Sequence, residues 1–326
     1  IPVITTLKAK GVFPESHPLS VGVRGSHTAN FLRDSDLVLS IGSSLSPGRF
    51  SHAIPNATSK TIVYCGLNEL HINKIFPTTH AVLGDALFTL KALSEELKDK
   101  TSGKGRSNTE IFKSIAKQRA EDNAIYEPAM KSSDKPINPY RVYSEMMKIL
   151  DPENSFVTHE SGNTRDQLST VYQTEVSRGF LGWGNVSTLG FSLPAAMAAK
   201  IASPERPSIL VTGEAGVGYM LGNLEVPVRE SIPITVIHIS NGGFSGYGPG
   251  FWGKGHDPYT HEVLTYETVD MSKMIKELGF HTERITEPED VSAAIQRAID
   301  ANAEGKSSYI EFICSQYPVY GGWISK

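Results

Sequence analysis

Two polar residues, each in a glycine-rich turn that follows an apolar run, could bind a metal ion. Glu214 comes after the run 208–212, and Asn241 comes after the run 234–239. Carboxylate and amide oxygens are ligands for hard cations, and Mg²⁺ takes about six oxygens in octahedral geometry. Together with a backbone carbonyl, a water and phosphate oxygens, these side chains would complete that shell. The pattern predicts a magnesium ion that bridges the protein and a diphosphate.

The same glycine-rich turn has a second interpretation as a dinucleotide-binding loop. The spacing Gly-x-Gly-x-x-Gly fails, because Gly216 and Gly218 are followed by Leu221. A nicotinamide-binding fold would also place an acid, rather than Asn241, after the next strand. The plain alternative is a surface acid and a turn-forming asparagine, since Asn-Gly is common in turns. The spacing and the flanking apolar runs favour the metal site.

The apolar runs before these turns, together with 155–158, predict buried strands. They alternate with helical segments, which is the pattern of a doubly wound parallel sheet. In such a sheet ligands bind beyond the carboxyl ends of the strands. Three loops are therefore expected to meet in one crevice, namely 160–163, 213–218 and 241–246.

A second, smaller α/β unit precedes this one in the sequence. Short β-rich runs at 37–41 and 61–64 alternate with helical stretches, and the polar stretch 98–108 has the composition of a linker. We expect an α/β fold of two doubly wound parallel-sheet domains, with a first domain over 1–97, a linker and helix over 98–135, and a second domain over 136–326. The chain opens at Ile1 inside an apolar run, so we expect upstream sequence and an N-terminally truncated first domain.

Composition excludes several classes of partner. The 326 residues carry a net charge of -4, which provides no basic field for nucleic acid. An acidic surface repels anionic lipid, and no apolar run reaches the roughly 20 residues that span a bilayer. Cys65 and Cys314 have neither the spacing of a zinc site nor that of a disulfide framework. We expect a cytoplasmic protein that binds neither nucleic acid nor membrane.

Four segments resemble a known family in the same order along the chain. Gly213-Glu214-Ala215 followed by Asn241 resembles the thiamine-diphosphate signature, G-D-G and then N about 25 residues later. The segments 10–19 and 82–86 look like parts of that family's central domain, and 188–196 is similar to the segment before the diphosphate loop. The sequence thus resembles thiamine-diphosphate enzymes of the acetolactate synthase and pyruvate decarboxylase type. The resemblance implies a Rossmann-like central domain followed by a thiamine-diphosphate-binding fold.

The resemblance also implies roles for individual residues. Magnesium would be held by Glu214, Asn241 and the carbonyl of Gly243. Leu189 would be the bulky residue that bends the cofactor, and the carbonyl of Ser187 would bind its aminopyrimidine. The loop with Glu160, Gly162 and Asn163 would lie over the diphosphate. The remaining expected cofactor contacts are Gly213, Ala215 and Phe244.

The sequence departs from the family pattern inside the signature. Glu214 replaces the usual Asp and is longer by one methylene group, which changes its reach in a rigid octahedral site. Ala215 replaces a glycine, and a positive φ there would cost about 1 kcal/mol. Pro227 lies in the helix predicted after the signature and should bend it.

The resemblance implies conversion of a pyruvate-like 2-oxo acid by decarboxylation with carboligation, as in acetolactate synthase. The family activates its cofactor through a glutamate on a pyrimidine-binding domain that this sequence lacks, so no catalytic residue is expected here and the chain alone should be inactive. That domain, in the same or another chain, is the expected partner, within a homodimer or tetramer. Because the segments 40–45 and 64–67 lack acidic residues, they argue against FAD.

Three alternatives stay open at this point. The chain could be a simple 2-oxo acid decarboxylase or an oxidase, a non-catalytic or degenerate cofactor-binding module, or one subunit of a two-chain enzyme. His238 lies in an apolar run and is predicted to be a core histidine. The segment 244–251 is predicted to be a lid, and Trp183 and Trp252 are predicted to line the substrate pocket.

Overall fold

The computed structural model describes residues 1–46, 53–105, 109–182, 186–243, 267 and 269–316. Contacts divide the chain into two compact units. The first contains Ile1–Thr6 and Pro18–Asp122, and the second contains Leu7–His17 and the described residues from Asn123 onward. Each unit is built on parallel strands with helices between them.

The first unit holds two small parallel sheets. Strands β1 (Val3–Ile4) and β2 (Ser20–Gly22) form one pair, while β3 (Leu37–Ile41), β4 (Thr61–Gly66) and β5 (His80–Leu83) form the other sheet in that order. The central strand β4 is the most buried, because its neighbours cover both of its edges. The helices of this unit are α1 (Ser26–Asp34), α2 (Ala86–Thr101) and the first part of α3 (Thr109–Met130).

The second unit is a six-stranded parallel sheet with helices. Its strands are β6 (Phe156–His159), β7 (Phe180–Leu181), β8 (Ser208–Gly213), β9 (Thr235–Ser240), β10 (His281–Ile285) and β11 (Ser308–Ile313). Its helices, after the end of α3, are α4 (Pro139–Ile149), α5 (Asn163–Val171), α6 (Ser192–Ala202), α7 (Glu214–Met220), α8 (Val226–Arg229), α9 (Met271–Lys276) and α10 (Val291–Ala303). The predicted α/β class with parallel sheets is confirmed.

The strand order in this sheet is β10-β11-β9-β8-β6-β7. The chain passes from β6 to β7 on one side and then returns to β8 on the other side of β6. The carboxyl ends of β6 and β8 therefore flank a topological switch point, which is where open α/β sheets form ligand crevices. Since β9 lies next to β8, the loops after β6, β8 and β9 share one edge of the sheet.

Continuous apolar runs explain why the inner strands are buried on both faces. One face of β8, β9 and β11 places Leu210, Val236 and Tyr309 in a core with Val217 of α7 and Ile275 of α9. Burial of such side chains is the main favourable term in folding. This core fixes the strand ends from which the candidate loops project.

The bounds of the two compact units differ from the predicted domain boundaries, which were 1–97, 98–135 and 136–326. Helix α2 continues to Thr101, into the stretch that was predicted to be a linker. Composition did not distinguish the two, because an exposed helix can be as polar as a linker. Helix α3 contributes to the first unit as far as Asp122, which accepts hydrogen bonds from Ser26 and His27. Residues 7–17, by contrast, pack within the second unit.

The helix predicted after the signature is interrupted instead of bent. Helix α7 ends at Met220, and a separate short helix, α8, begins at Val226. Pro227 lies in the first turn of α8, where a backbone donor has no partner within the helix. None of the described helices is both long and apolar enough to pass through a membrane.

Candidate functional site

The structure brings Glu214 and Asn241 together at the ends of neighbouring strands. Glu214 is the first residue of α7, directly after β8, and Asn241 directly follows β9. The Oε1 atom of Glu214 accepts hydrogen bonds from the backbone amides of Asn241, at 2.5 Å, and Gly242, at 2.7 Å. The glutamate side chain thus reaches from its own strand end to the turn after the next strand.

The turn after β9 is ordered by its own side chain. The Oδ1 atom of Asn241 accepts a hydrogen bond from the backbone amide of Gly243 at 3.2 Å. Gly242 has a φ of 68°, a left-handed conformation that glycine adopts without strain. The Glu214 carboxylate and the side-chain oxygen of Asn241 therefore both accept hydrogen bonds from backbone amides of this turn.

The environment of Glu214 disfavours an isolated negative charge. Burial raises the pKa of the Glu214 carboxyl, whereas hydrogen bonds from the amides of Gly242 and Asn241 lower it, and the nearby carboxylate of Glu311 raises it. The net effect is a raised pKa. A cation at this carboxylate would offset both the burial and the repulsion from Glu311.

Ala215 fits its position without strain. It is the second residue of α7 and is not among the described non-glycine residues with positive φ. Alanine is the residue most favourable to a helix. The expected cost of replacing glycine at position 215 therefore does not arise.

Glu160 is completely buried, and its carboxylate faces the start of α6. Its Oε1 atom accepts hydrogen bonds from the amide of Ser192 at 2.8 Å and the Ser192 hydroxyl at 2.5 Å. Its Oε2 atom accepts from the amides of Gly190 at 3.1 Å and Ser161 at 3.2 Å. Both carboxylate oxygens are thus engaged within the protein, whereas the sequence had suggested a place over the diphosphate.

The other residues of that loop stand at the beginning of α5. Gly162 occupies the N-cap position with a φ of 94°, and Asn163 is the first residue of the helix. The backbone amides at the start of a helix lack partners within it and are donors for an anion.

Gly216 is a site residue that the sequence did not single out. A Cβ atom at this position would clash with the hydroxyl of Thr212 and would stand 2.6 Å from Cγ of Glu160. The loop after β6 and helix α7 therefore meet at Gly216. Glycine is unfavourable inside a helix, so a glycine in a helical segment can indicate that another group approaches the backbone closely. This was the signal for Gly216 in the sequence.

Ser187 and Leu189 lie in the segment before α6. Ser187 has a φ of 57°, which is uncommon for a residue other than glycine. Its hydroxyl lies 2.6 Å from that of Ser161, and Nη1 of Arg165 donates to it at 3.4 Å. Leu189 is half-buried and precedes Gly190. The segment with Leu189 is therefore tied at both ends to the loop after β6.

Two family descriptions match most of the chain. Residues 160–312 match the thiamine pyrophosphate enzyme, C-terminal TPP binding domain, and residues 1–93 match the thiamine pyrophosphate enzyme, central domain. The chain belongs to the thiamine pyrophosphate enzyme family. Thiamine pyrophosphate is another name for thiamine diphosphate, so the predicted resemblance is confirmed, including its acetolactate synthase and pyruvate decarboxylase type.

Relatives of this chain have several names. The probable acetolactate synthase large subunit of Methanococcus aeolicus is 28% identical in an alignment of 321 positions that covers 93% of this chain and 52% of the relative. The 2-hydroxyacyl-CoA lyase 1 of Mus musculus is 28% identical in an alignment of 266 positions that covers 78% of this chain and 44% of the relative. The sulfoacetaldehyde acetyltransferase of Castellaniella defragrans is 25% identical in an alignment of 351 positions that covers 97% of this chain and 56% of the relative. The chain spans about half the length of these curated relatives.

Two buried histidines of the second unit lie near this edge of the sheet. His238 is buried in β9, and its Nδ1 atom lies 2.7 Å from the Tyr309 hydroxyl. Burial lowers the pKa of His238 to about 3 and that of His159 to about 4. Both are therefore neutral at physiological pH, and His238 is the core histidine that the sequence predicted.

Several expectations fall outside the described residues. Phe244, the predicted lid at 244–251, Trp183 and Trp252 all lie there. Within the described ranges, no group of three or more His, Cys, Asp and Glu side chains is arranged to hold a metal ion. A metal at the Glu214 carboxylate would therefore depend on amide and carbonyl oxygens as further ligands.

Proposed function

We propose that this chain supplies the magnesium- and diphosphate-binding part of a thiamine-diphosphate enzyme that acts on a pyruvate-like 2-oxo acid. The reaction is decarboxylation with carboligation, as the names of the acetolactate synthase relatives suggest. The observation that supports this proposal most directly is the meeting of Glu214 with the Asn241 turn at the ends of β8 and β9.

Magnesium would be bound by the carboxylate of Glu214, the side-chain oxygen of Asn241 and the carbonyl of Gly243. All three are hard oxygen donors, which is the ligand type that Mg²⁺ selects. The Oδ1 atom of Asn241 accepts a hydrogen bond from the Gly243 amide and has a second lone pair for a metal. The Oε1 atom of Glu214 already accepts two hydrogen bonds, so Oε2 of the same carboxylate would be the metal ligand. The raised pKa of Glu214 supports a role as a cation ligand.

The cofactor would extend from the metal across the switch point. Backbone amides of Gly162, Asn163, Gly213 and Ala215 would bind the diphosphate. Leu189 would hold the cofactor in its bent form, and the carbonyl of Ser187 would accept from the aminopyrimidine. Phe244 would add a contact beyond the Asn241 turn. Bound thiamine diphosphate supplies the carbon chemistry, and this chain supplies binding and orientation.

Activity would require a glutamate from a pyrimidine-binding domain, in the same or another chain. This chain alone would be inactive, and the active form would be a cytoplasmic homodimer or tetramer. No FAD site is proposed, because the segments 40–45 and 64–67 lack acidic residues.

Calorimetric titration of thiamine diphosphate into the full-length protein, with and without Mg²⁺, tests this function. We expect binding that depends on Mg²⁺ and is lost in Glu214→Ala. The matched control is Glu304→Ala, which removes an exposed carboxylate after α10 and should bind normally. Absence of binding to the wild-type protein, or binding indifferent to Mg²⁺ and to Glu214, would contradict the proposal.

Further measurements distinguish the proposed function from two alternatives, a degenerate binding module and a simple decarboxylase. The observation that favours a degenerate binding module is that Oε1 of Glu214 already accepts hydrogen bonds from two backbone amides. Such a module would show no magnesium-dependent binding of thiamine diphosphate. A simple decarboxylase would bind the cofactor but release an aldehyde from pyruvate, whereas a carboligase would join a second carbonyl compound. Product analysis with pyruvate distinguishes these two reactions.

A further inference from the structure

Three backbone and side-chain groups at the start of α6 depend on the Glu160 carboxylate. The amides of Gly190 and Ser192 and the hydroxyl of Ser192 all donate to it, at 3.1, 2.8 and 2.5 Å. The Ser192 amide belongs to the first turn of α6, whose donors have no partners within the helix. Phe191, at the N-cap position, has no polar side chain with which to satisfy them. Glu160 thus caps α6 from the loop that follows β6.

The carboxylate is itself held in a fixed position. The Glu160 amide donates to the Val211 carbonyl of β8 at 2.8 Å, and its carbonyl accepts from the Thr164 hydroxyl at 3.2 Å. Gly216 presses against its side chain from α7. Because Glu160 is completely buried, water does not compete for these bonds. The start of α6 is therefore fixed relative to β6 and β8.

The segment that Glu160 holds contains two residues in the left-handed region of backbone conformation. Ser187 and Gly190 both have positive φ, at 57° and 86°. Such conformations persist in residues other than glycine when the surrounding contacts determine them. Leu189 stands between these two residues, so its position depends on the contacts that Glu160 makes at Gly190 and Ser192.

We propose that Glu160 is a positioning residue that sets the location of Leu189 through Gly190 and Ser192, and is not itself a ligand of the diphosphate. This inference rests on the proposed function in one respect, namely that Leu189 contacts the organic part of thiamine diphosphate. The contact of Glu160 with α6 does not depend on that function.

The first test is hydrogen exchange in the cofactor-free protein. In Glu160→Gln one oxygen becomes an amide group, which cannot accept from the donors that face it. We expect the amides of Gly190 and Ser192 to exchange at least about tenfold faster, with β9 unchanged. The control Glu304→Gln should leave all of these rates as in the wild type. Unchanged exchange at Gly190 and Ser192 would overturn the proposal.

The second test separates positioning from direct binding. Titrations of Glu160→Gln compare inorganic diphosphate with thiamine diphosphate, both in the presence of Mg²⁺. We expect the affinity for thiamine diphosphate to fall about tenfold, or about 1.4 kcal/mol, and the affinity for inorganic diphosphate to stay the same. An equal loss for both ligands would make Glu160 part of the diphosphate site and would overturn the positioning role. If Glu160→Gln binds each of the two ligands with the same affinity as the wild type does, the positioning role is overturned as well.

A milder variant covers the case in which Glu160→Gln does not fold. Ser192→Ala removes only the hydroxyl donor and keeps both amides on the carboxylate. It should show the same selective loss of thiamine diphosphate affinity, by a factor of about three. If the wild type binds no thiamine diphosphate, the proposed function fails, whereas the exchange experiment still decides whether Glu160 holds α6.

Discussion

Gly216 and Glu160 pack so closely that a methyl group on Gly216 would stand 2.6 Å from Cγ of Glu160. Carbon atoms that are not bonded normally stay about 3.5 Å or more apart. The helix after β8 can therefore approach the loop after β6 only if position 216 has no side chain. This contact joins the loop after β6 to the helix after β8, at the switch point of the sheet.

Replacing Gly216 by alanine is expected to destabilise the protein. Overpacking of this kind costs about 1–3 kcal/mol, since the added methyl group would meet Glu160 and Thr212, which are both completely buried. Urea unfolding followed by circular dichroism measures the loss. Gly218→Ala is the matched control in the same helix, because a Cβ atom there meets nothing within 4 Å. That variant should be as stable as the wild type or gain up to about 1 kcal/mol. Equal stability of both variants would disprove the close packing.

Lys10 and Glu15 form a buried ion pair, with side chains only 2% and 6% exposed. Lys10 Nζ lies 2.6 Å from both carboxylate oxygens and 5.5 Å from the Phe180 ring centre. Lys10→Met would leave the Glu15 charge buried without its partner, at a cost of about 3–5 kcal/mol. Chemical denaturation of the single variants and of Lys10→Met with Glu15→Gln measures the coupling.

The double variant should recover most of the stability lost in Lys10→Met, because neither charge then stays buried alone. The control pair is Lys117 and Glu121, which are exposed and 3.8 Å apart. Lys117→Met should change stability by less than about 1 kcal/mol. A double variant as unstable as Lys10→Met would show that packing, and not the charge, is what matters at Lys10.

The sequence predicted the parallel α/β class because continuous apolar runs mark strands that are buried on both faces. Those at 208–212 and 234–239 correspond to β8 and β9, and the turns after them bring Glu214 and Asn241 together. The direction of the Glu160 carboxylate could not be read in the same way. It depends on the packing of β6 against α6, which are joined by contacts far apart in sequence.

Asp270 contributes stability that depends on pH. It caps α9, and hydrogen bonds from the hydroxyl of Ser272 and the amide of Lys273 lower the pKa of its carboxyl to about 2. A depressed pKa means that this stability is present above the usual carboxyl pKa, near 4, and is lost as the pH falls toward 2. Asp270→Ala should cost about 1 kcal/mol at pH 7.

Thermal unfolding of the wild type and Asp270→Ala between pH 2 and pH 7 checks this prediction. The difference between the two proteins should shrink as the pH falls through the window from 4 to 2. A constant difference over this range would mean that the ionised form of Asp270 has no special role.

Glu214→Gln is expected to stabilise the metal-free protein while it removes the magnesium site. A glutamine oxygen can still accept from the amides of Asn241 and Gly242, and the buried charge is gone. Because burial raises the pKa of Glu214, its stability contribution is present below the usual value of 4.5 and falls as the pH rises. The melting temperature of the variant should therefore exceed that of the wild type increasingly above that pH.

The same melting experiment with thiamine diphosphate and Mg²⁺ provides the second half of the test. The wild type should gain stability from the ligands, and Glu214→Gln should gain little. A variant that is less stable than the wild type at pH 7 without ligands would contradict the raised pKa of Glu214.

The path of the chain between its two compact units also bears on how such proteins can diverge. Residues 7–17 precede most of the first unit in the gene, yet they belong by contact to the second, where Lys10 meets Phe180 and Glu15 accepts from the amide of Thr174. Recombination that exchanged whole first domains between relatives would bring in a foreign version of this segment. Substitutions at Lys10 and Glu15 must therefore be inherited together with compatible residues at 172–180, more than 150 positions away.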